Sequence, residues 1–401
     1  MSRPGKSAAP ARPASFAFRL TLLILGLLVV LLVLLLLIFA GKGASADAAD
    51  LLALPETVTP SAQTAAVTPA ATEDPDRLIL SNLTPTPAAS GEWLDTWPAA
   101  SSVETVHDSS ALIAALKGRS QSSQALQGVT VFVDPGHGGQ DSGTVYPQES
   151  PYEAVEKEVN LAVGLKLKSA LEALGASVIM TRTDDSWVSV YSRAAQVGQT
   201  ILDQVTDSLK NTGKDLSQFE SLKTAMTEIQ TTNLDEGGGG ILGGLGSGAD
   251  ARLLYDTERQ FPEYLFLSLH CNYSDAGADI GGLQIYYVDN AYNYEFTRDS
   301  TADGYDLPPV YQYFNDEGRK KLVDCLQSAI IRQLPELTTT GGPQTILQEG
   351  FVVLNRMGID SALVEMGFFS NADDRVLLLS DSGQTELAQA LAQSVYSYYC
   401  E

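Results

Sequence analysis

The chain has 401 residues and a net charge of −24. That balance excludes a basic face for nucleic acid, whose phosphates are held by lysine and arginine. Cys271, Cys325 and Cys400 show no Cys-x-x-Cys spacing, so a thiolate zinc site is excluded, and an odd number of thiols cannot all pair within one chain. Cys271 and Cys325 are expected as buried small apolar residues.

Residues 1–19 read as a cytoplasmic tail bearing Arg3, Lys6, Arg12 and Arg19. Residues 20–40 are almost all Leu, Val, Ile, Phe or Ala and carry no charge. At a rise of about 1.5 Å per residue they match a hydrocarbon core of about 30 Å, so a single transmembrane anchor is expected. Basic residues precede this run and only Lys42 follows it closely, which places the N-terminus in the cytoplasm and the remainder outside the cell membrane. A cleaved signal peptide is the competing reading, but its apolar core usually runs only about 7–15 residues. The first 42 residues hold five basic and no acidic residues, leaving −29 on the rest. Such a charge keeps the exported part off anionic lipid and acidic wall polymers except at a specific site.

Residues 43–125 are expected as a stalk and lead-in. Up to about residue 102 they are rich in Ala, Thr, Pro and Ser without apolar periodicity, the composition of a disordered spacer. Trp93, Trp97 and residues 109–117 read as a short lead-in to the folded head. His107 has no partner motif and reads as an ordinary surface or packing histidine.

From residue 126 to 401 one α/β domain is expected, a mostly parallel twisted sheet flanked by helices. Residues 129–133 form the first strand. Residues 156–174 form a helix whose buried stripe is Val159, Leu161, Val163, Leu165, Leu167, Leu171 and Leu174, with Gly175 at its stop. Residues 176–181 form a second strand, and strand–helix–strand in this order implies a right-handed parallel crossover. Residues 189–205 read as helix, 264–270 and 282–287 as strands, 317–334 as helix, 351–354 and 361–365 as strands, and 384–399 as the closing amphipathic helix. Residues 206–262 interrupt the alternation. Leu216, Phe219, Leu222, Met226 and Ile229 recur at helical spacing, followed by two glycine clusters expected as flexible connections. No Gly-Lys-Ser/Thr follows them, so they are no phosphate loop. This insertion reads as a helical hairpin over the sheet edge, with a lid controlling access to the site as a further expectation.

The polar residues that interrupt the strands fall at carboxyl ends, where parallel α/β sheets build their sites. His137 follows the first strand, His270 closes the third and Glu365 closes the last. Alternation places Ser268, His270 and Asn272 on one strand face and Cys271 on the other. Two histidines are short of a catalytic zinc site, which commonly takes three protein ligands and keeps a position for water. Glu153, Glu156 and Glu158 open the first helix, and spacing leaves open which of them is a ligand or whether they serve the helix dipole. Glu365, a carboxylate at the end of an apolar strand, needs a cation, a metal or a catalytic role.

Six stretches in order carry a resemblance: Val133-Asp134-Pro135-Gly136-His137-Gly138-Gly139, residues 156–161, 181–185, 268–272 and 282–287, and Leu363-Val364-Glu365-Met366-Gly367-Phe368 through Asn371. Together they resemble the zinc-dependent N-acetylmuramoyl-L-alanine amidases that cut peptidoglycan. The resemblance implies that His137, Glu156 and His270 hold Zn2+, with Glu156 selected as the acid before Lys157, and that Glu365 is the catalytic carboxylate. It implies an autolysin-like hydrolase of the muramic acid to L-alanine amide in the wall, with peptidoglycan as partner; the helix and glycine hinges of the insertion add the expectation of a regulatory protein acting there. Departures are Asp360-Ser361, where that family usually has Pro-Ala, residues 141–144, and the insertion itself. The alternatives are a zinc peptidase on stem peptides and a catalytically silent wall-binding or divisome scaffold.

Overall fold

The computed structural model describes residues 104–243, 249–293, 295, 313–341 and 344–401. The expected tail, the span at 20–40 and nearly all of the stalk lie outside the described residues. Among the described residues no helix is long and apolar enough to cross a membrane.

The lead-in is docked on the head. Gln260 accepts from the Val106 backbone N–H at 2.8 Å. His107 places Nε2 2.6 Å from Glu263 Oε1 and stacks on Phe261 with ring centroids 3.9 Å apart. It is a packing histidine with a carboxylate partner. Helix α1 (Ser110–Leu116) then leads to β1 (Thr130–Pro135), a small antiparallel pair β2 (Val145–Tyr146) and β3 (Ala154–Val155), α2 (Glu156–Ala173), β4 (Ser177–Met180), α3 (Val190–Leu209), α4 (Ser217–Thr232), α5 (Ala249–Glu258), β5 (Tyr264–Asn272), β6 (Gln284–Tyr287), α6 (Asp316–Gln333), β7 (Ile346–Gln348), α7 (Val352–Asn355), β8 (Asp360–Phe368), α8 (Ala372–Leu379) and α9 (Asp381–Cys400). Among the described residues six strands form one sheet in the order β4-β1-β5-β8-β6-β7. β4, β1, β5 and β8 run parallel, while β6 runs antiparallel to β8 and parallel to β7.

Strand alternation divides the core into two layers. Val131, Val133, Leu265, Leu267, Ala362 and Val364 face α2, α6 and α9, whereas Phe132, Phe266 and Leu363 face α3, α4 and α5. The α2 stripe is narrower than the sequence reading. Val159, Val163, Leu167 and Leu171, spaced by four, are buried, but Leu165 is 41% exposed and Leu161 only half-buried. A helix turns about 100° per residue, so leucines at every second position cannot share a face. The stop at Gly175 holds: at φ +91° its N–H reaches Glu172 O at 3.0 Å, and Ala176 N–H reaches Leu171 O at 3.1 Å, the paired bonds of a left-handed helix terminus.

Three further expectations are corrected. Residues 351–354 are not a strand: Val352–Asn355 is a helical turn, and the place beside β6 belongs to β7. Four apolar residues are too few for periodicity to separate strand from helix. The insertion does not cover the sheet edge either. α4 buries Leu222, Met226 and Ile229 in the layer that holds Phe132, Ala195 and Ile201, and α5 adds Leu254 and Tyr255. The segment packs as an outer layer on α3. Cys271 and Cys400 are buried free thiols, and Cys325 is only partly buried.

Candidate metal centre and catalytic carboxylate

β1 ends at Pro135 and the chain turns sharply, with His137 in the left-handed region at φ +62°. The turn passes close under β5. A Cβ on Gly136 would come within 2.2 Å of the His270 ring, and one on Gly143 within 2.5 Å of Glu156 Oε2. Only glycine allows this approach at either point. The result brings three expected ligands together: one ligand atom from each of His137, Glu156 and His270 lies within 4.8 Å of the others. His137 comes from the β1 turn, Glu156 from the first residue of α2, and His270 from β5.

Each ligand is oriented by a neighbour. His137 Nδ1–H donates to Asp141 Oδ2 at 2.6 Å, which leaves Nε2 directed at Glu156 Oε1, 3.1 Å away. His270 Nδ1 is 2.9 Å from the same oxygen. Glu156 also accepts backbone N–H groups from Thr144 at 2.7 Å and Cys271 at 3.0 Å. Burial opposes its charge, yet the two histidines outweigh burial and hold its carboxyl well below the usual range. Burial also lowers the proton affinity of His137, but Glu156 and Asp141 overcome it and bring the imidazole up to about 9. A cluster that gathers this much negative charge around two imidazoles suits a divalent cation, and a two-histidine, one-carboxylate set is a common zinc arrangement. The donor chemistry and the close approach over Gly136 and Gly143 therefore fit a metal ion.

Glu365 sits beside this group. It is the Cα partner of His270 across β5 and β8, and of Gln284 across β8 and β6. Its Oε2 is buried with no hydrogen-bond partner among the described residues. Burial, and then the charge of Glu156, push its carboxyl far above the ordinary range, with His137 opposing. A buried carboxylate oxygen left without a protein partner calls for an explanation outside the protein. Glu365, His137 and His270 open into one cavity of about 410 Å³, which Asp141, Trp187 and Phe351 also line.

Other residues of the site were not legible as such. Arg193 pairs with buried Asp134 and donates to Pro135 O at 2.9 Å and His137 O at 2.8 Å. Arg182 donates to Pro135 O and Gly136 O, both at 2.9 Å. Two buried guanidiniums thus fix the carbonyls of the turn that presents His137. Asp134 is opposed by burial, but Arg193, Ser268 and Thr181 hold it ionised, below the ordinary range. Asp141, four residues after His137, is marked in the sequence only by that spacing. Asp235, from the insertion, lines the cavity with no sequence signal to announce it.

The profile of the N-acetylmuramoyl-L-alanine amidase family matches residues 131–208 and 249–397, passing over the stretch that contains α4. A probable cell wall amidase, LytH, of Staphylococcus aureus is 41% identical over 86 residues, 21% of this chain and 28% of that protein. The matched stretch thus spans about a quarter of that relative's length. The N-acetylmuramoyl-L-alanine amidase AmiC2 of Nostoc punctiforme aligns at 20% identity and a TM-score of 0.40, covering 67% of this chain and 96% of that one. The CwlD amidase of Clostridioides difficile, solved with the GerS lipoprotein, aligns at 21% identity and a TM-score of 0.39, covering 67% and 98%. With more than half of its residues matched by the family profile, the chain belongs to the N-acetylmuramoyl-L-alanine amidase family.

Proposed function

We propose that this protein is a zinc hydrolase that cleaves the amide between N-acetylmuramic acid and L-alanine in peptidoglycan. The observation that carries the reading is the single cavity onto which His137 and His270 of the His137–Glu156–His270 group open together with the unpartnered carboxylate of Glu365. His137, Glu156 and His270 would hold the ion, and Asp141 keeps His137 in the tautomer that offers Nε2. Zinc, when bound, polarises the amide carbonyl and makes a water acidic enough to attack near neutral pH. Glu365 takes the proton of the attacking water and passes it to the departing L-alanine nitrogen. Its Oε2 has no hydrogen-bond partner among the described residues and is free to accept that proton. The carbonyls held by Arg182 and Arg193 keep the His137 turn from shifting as charge develops.

Metal analysis and product mass spectrometry on purified peptidoglycan test this together. Muramic acid with a free lactyl carboxyl and peptides beginning at L-alanine are expected. Shortened stem peptides from an intact muramyl amide would instead make the protein a peptidase, and no product from a zinc-loaded chain would make it a silent scaffold.

We further propose an autolysin-like role outside the cell membrane, with the head tethered by residues 20–40. The uncharged apolar run and its basic N-terminal flank support the anchor. Release of the full chain from membranes by high salt would overturn it. A regulatory partner would act from the outer face of α4, where Glu220 and Glu228 are exposed. Activity in wall extracts that ignores charge reversal at both positions would remove that reading.

A further inference from the structure

Among the described residues the insertion reaches the catalytic cavity at one point, Asp235 in the turn after α4. Asn233 stands there in the left-handed conformation at φ +48° and is bonded three ways to the loop before α3. Its carbonyl accepts from Trp187 Nε1 at 3.1 Å, its Nδ2 donates to Trp187 O at 3.1 Å, and its Oδ1 accepts from Ser189 N–H at 2.9 Å. Two residues on, Asp235 Oδ1 accepts from Val190 N–H at 2.7 Å. The same loop is tied from the metal side, where Asp185 accepts from Gly139 N–H at 2.8 Å and from Lys157 Nζ at 2.7 Å. Trp187 is therefore held from both ends.

Trp187, Val188 and Val190 from this loop and Phe351, Val352 and Val353 from the start of α7 line the cavity that holds His137, His270 and Glu365. Phe351 is 37% exposed and braced edge-on by Tyr286, with centroids 5.4 Å apart. Its polar lining away from the histidines and the Asp134–Arg193 pair consists of carboxylates, Asp141, Asp235 and Glu365. An apolar wall with two aromatic residues favours an uncharged, CH-rich group, and the carboxylates disfavour an acidic one. Of the two sides of the proposed scissile amide, the glycan offers uncharged N-acetylated rings and the stem peptide offers carboxylates.

Resting on the amidase reading above, we propose that Trp187 and Phe351 form a subsite for an N-acetylhexosamine ring of the glycan, and that Asn233 is the positioning residue that holds Trp187 in place. The insertion is then a fixed wall of the substrate cleft.

The test uses zinc-loaded full chain and two peptide-free or glycan-free probes: the uncharged N-acetylglucosamine tetramer and the dipeptide L-alanyl-D-isoglutamine. Saturation-transfer NMR is expected to show tetramer binding, weakened at least tenfold in Trp187→Ala and in Phe351→Ser, and severalfold in Asn233→Gly, which keeps the backbone turn and its carbonyl. Trp187→Phe, which keeps an aromatic face, is expected to recover most of the binding. On peptidoglycan Trp187→Ala and Phe351→Ser are expected to raise KM about tenfold, and Asn233→Gly severalfold, with kcat within threefold and bound zinc unchanged. No tetramer binding, equal binding in both aromatic variants, or dipeptide binding that Trp187→Ala abolishes would overturn the subsite. If wild-type chain binds the tetramer through Trp187 yet releases no lactyl ends from wall, the subsite stands and the amidase reading fails.

Discussion

His270 and Glu365 are direct partners across β5 and β8, and Glu365 Oε2 has no hydrogen-bond partner among the described residues. Parallel register thus sets the proposed proton acceptor one strand away from a proposed metal ligand. Glu365→Gln preserves shape and removes the base. Zinc content should stay at the wild-type level while release of lactyl ends falls by about 10²–10⁴-fold, the usual worth of a positioned acid–base. Undiminished release would remove Glu365 from the chemistry.

The ligand group should fail differently. His270→Ala and Glu156→Gln should both lose bound zinc and hydrolysis, because a catalytic zinc commonly takes three protein donors and each variant leaves two. Asp141→Asn should weaken zinc binding by about 10–100-fold without abolishing it, since Asp141 acts through the His137 Nδ1–H bond. Chelator competition measures both effects.

Zinc affinity should also depend on pH through His137. The imidazole holds its proton up to about 9, and the ion takes only the neutral form. Affinity should therefore rise with pH between 7 and 9, by at most about tenfold per unit from this group. A flat titration over that range would show that His137 does not ligate.

Away from the site, Glu258 is fully buried on α5, where it accepts from Gly358 N–H at 2.5 Å. Burial pushes its carboxyl up to about 8, against the Gly358 bond and the charge of Arg319. The folded state then holds a proton that the unfolded state releases near 4.5. Below 4.5 both states are protonated. Stability should fall as pH climbs from 4.5 to 8 and level off above, by a few kcal/mol at about 1.4 kcal/mol per unit. Glu258→Gln should flatten that fall, as denaturant midpoints at pH 5 and pH 8 would show.

The insertion offers a packing test. Met226 is fully buried between α4 and α3. Met226→Ala should cost about 2–5 kcal/mol of stability. A change under about 0.5 kcal/mol would mean that α4 is a loosely attached lid.

The sequence by itself determined the strand-and-helix alternation, the crossover, and the placement of His137, His270 and Glu365 at strand ends, because hydrophobic periodicity and strand termini are local properties. It left Glu156 undecided by spacing, since a ligand acid and an acid serving the helix dipole look alike until a partner comes close; the family motif chose it, and the meeting with both histidines at β5 agrees. Tertiary structure alone decided the rest. Leu165 and the 351–354 run misread because a few apolar residues satisfy two periods. The antiparallel β6, the Arg182 and Arg193 clamps on the His137 turn, and the ties of Asn233 to Trp187 and of Asp235 to Val190 are contacts between residues about 45 or more apart in the chain. No local pattern records such contacts, because their stability comes from burial and hydrogen bonds that exist only once the layers have closed.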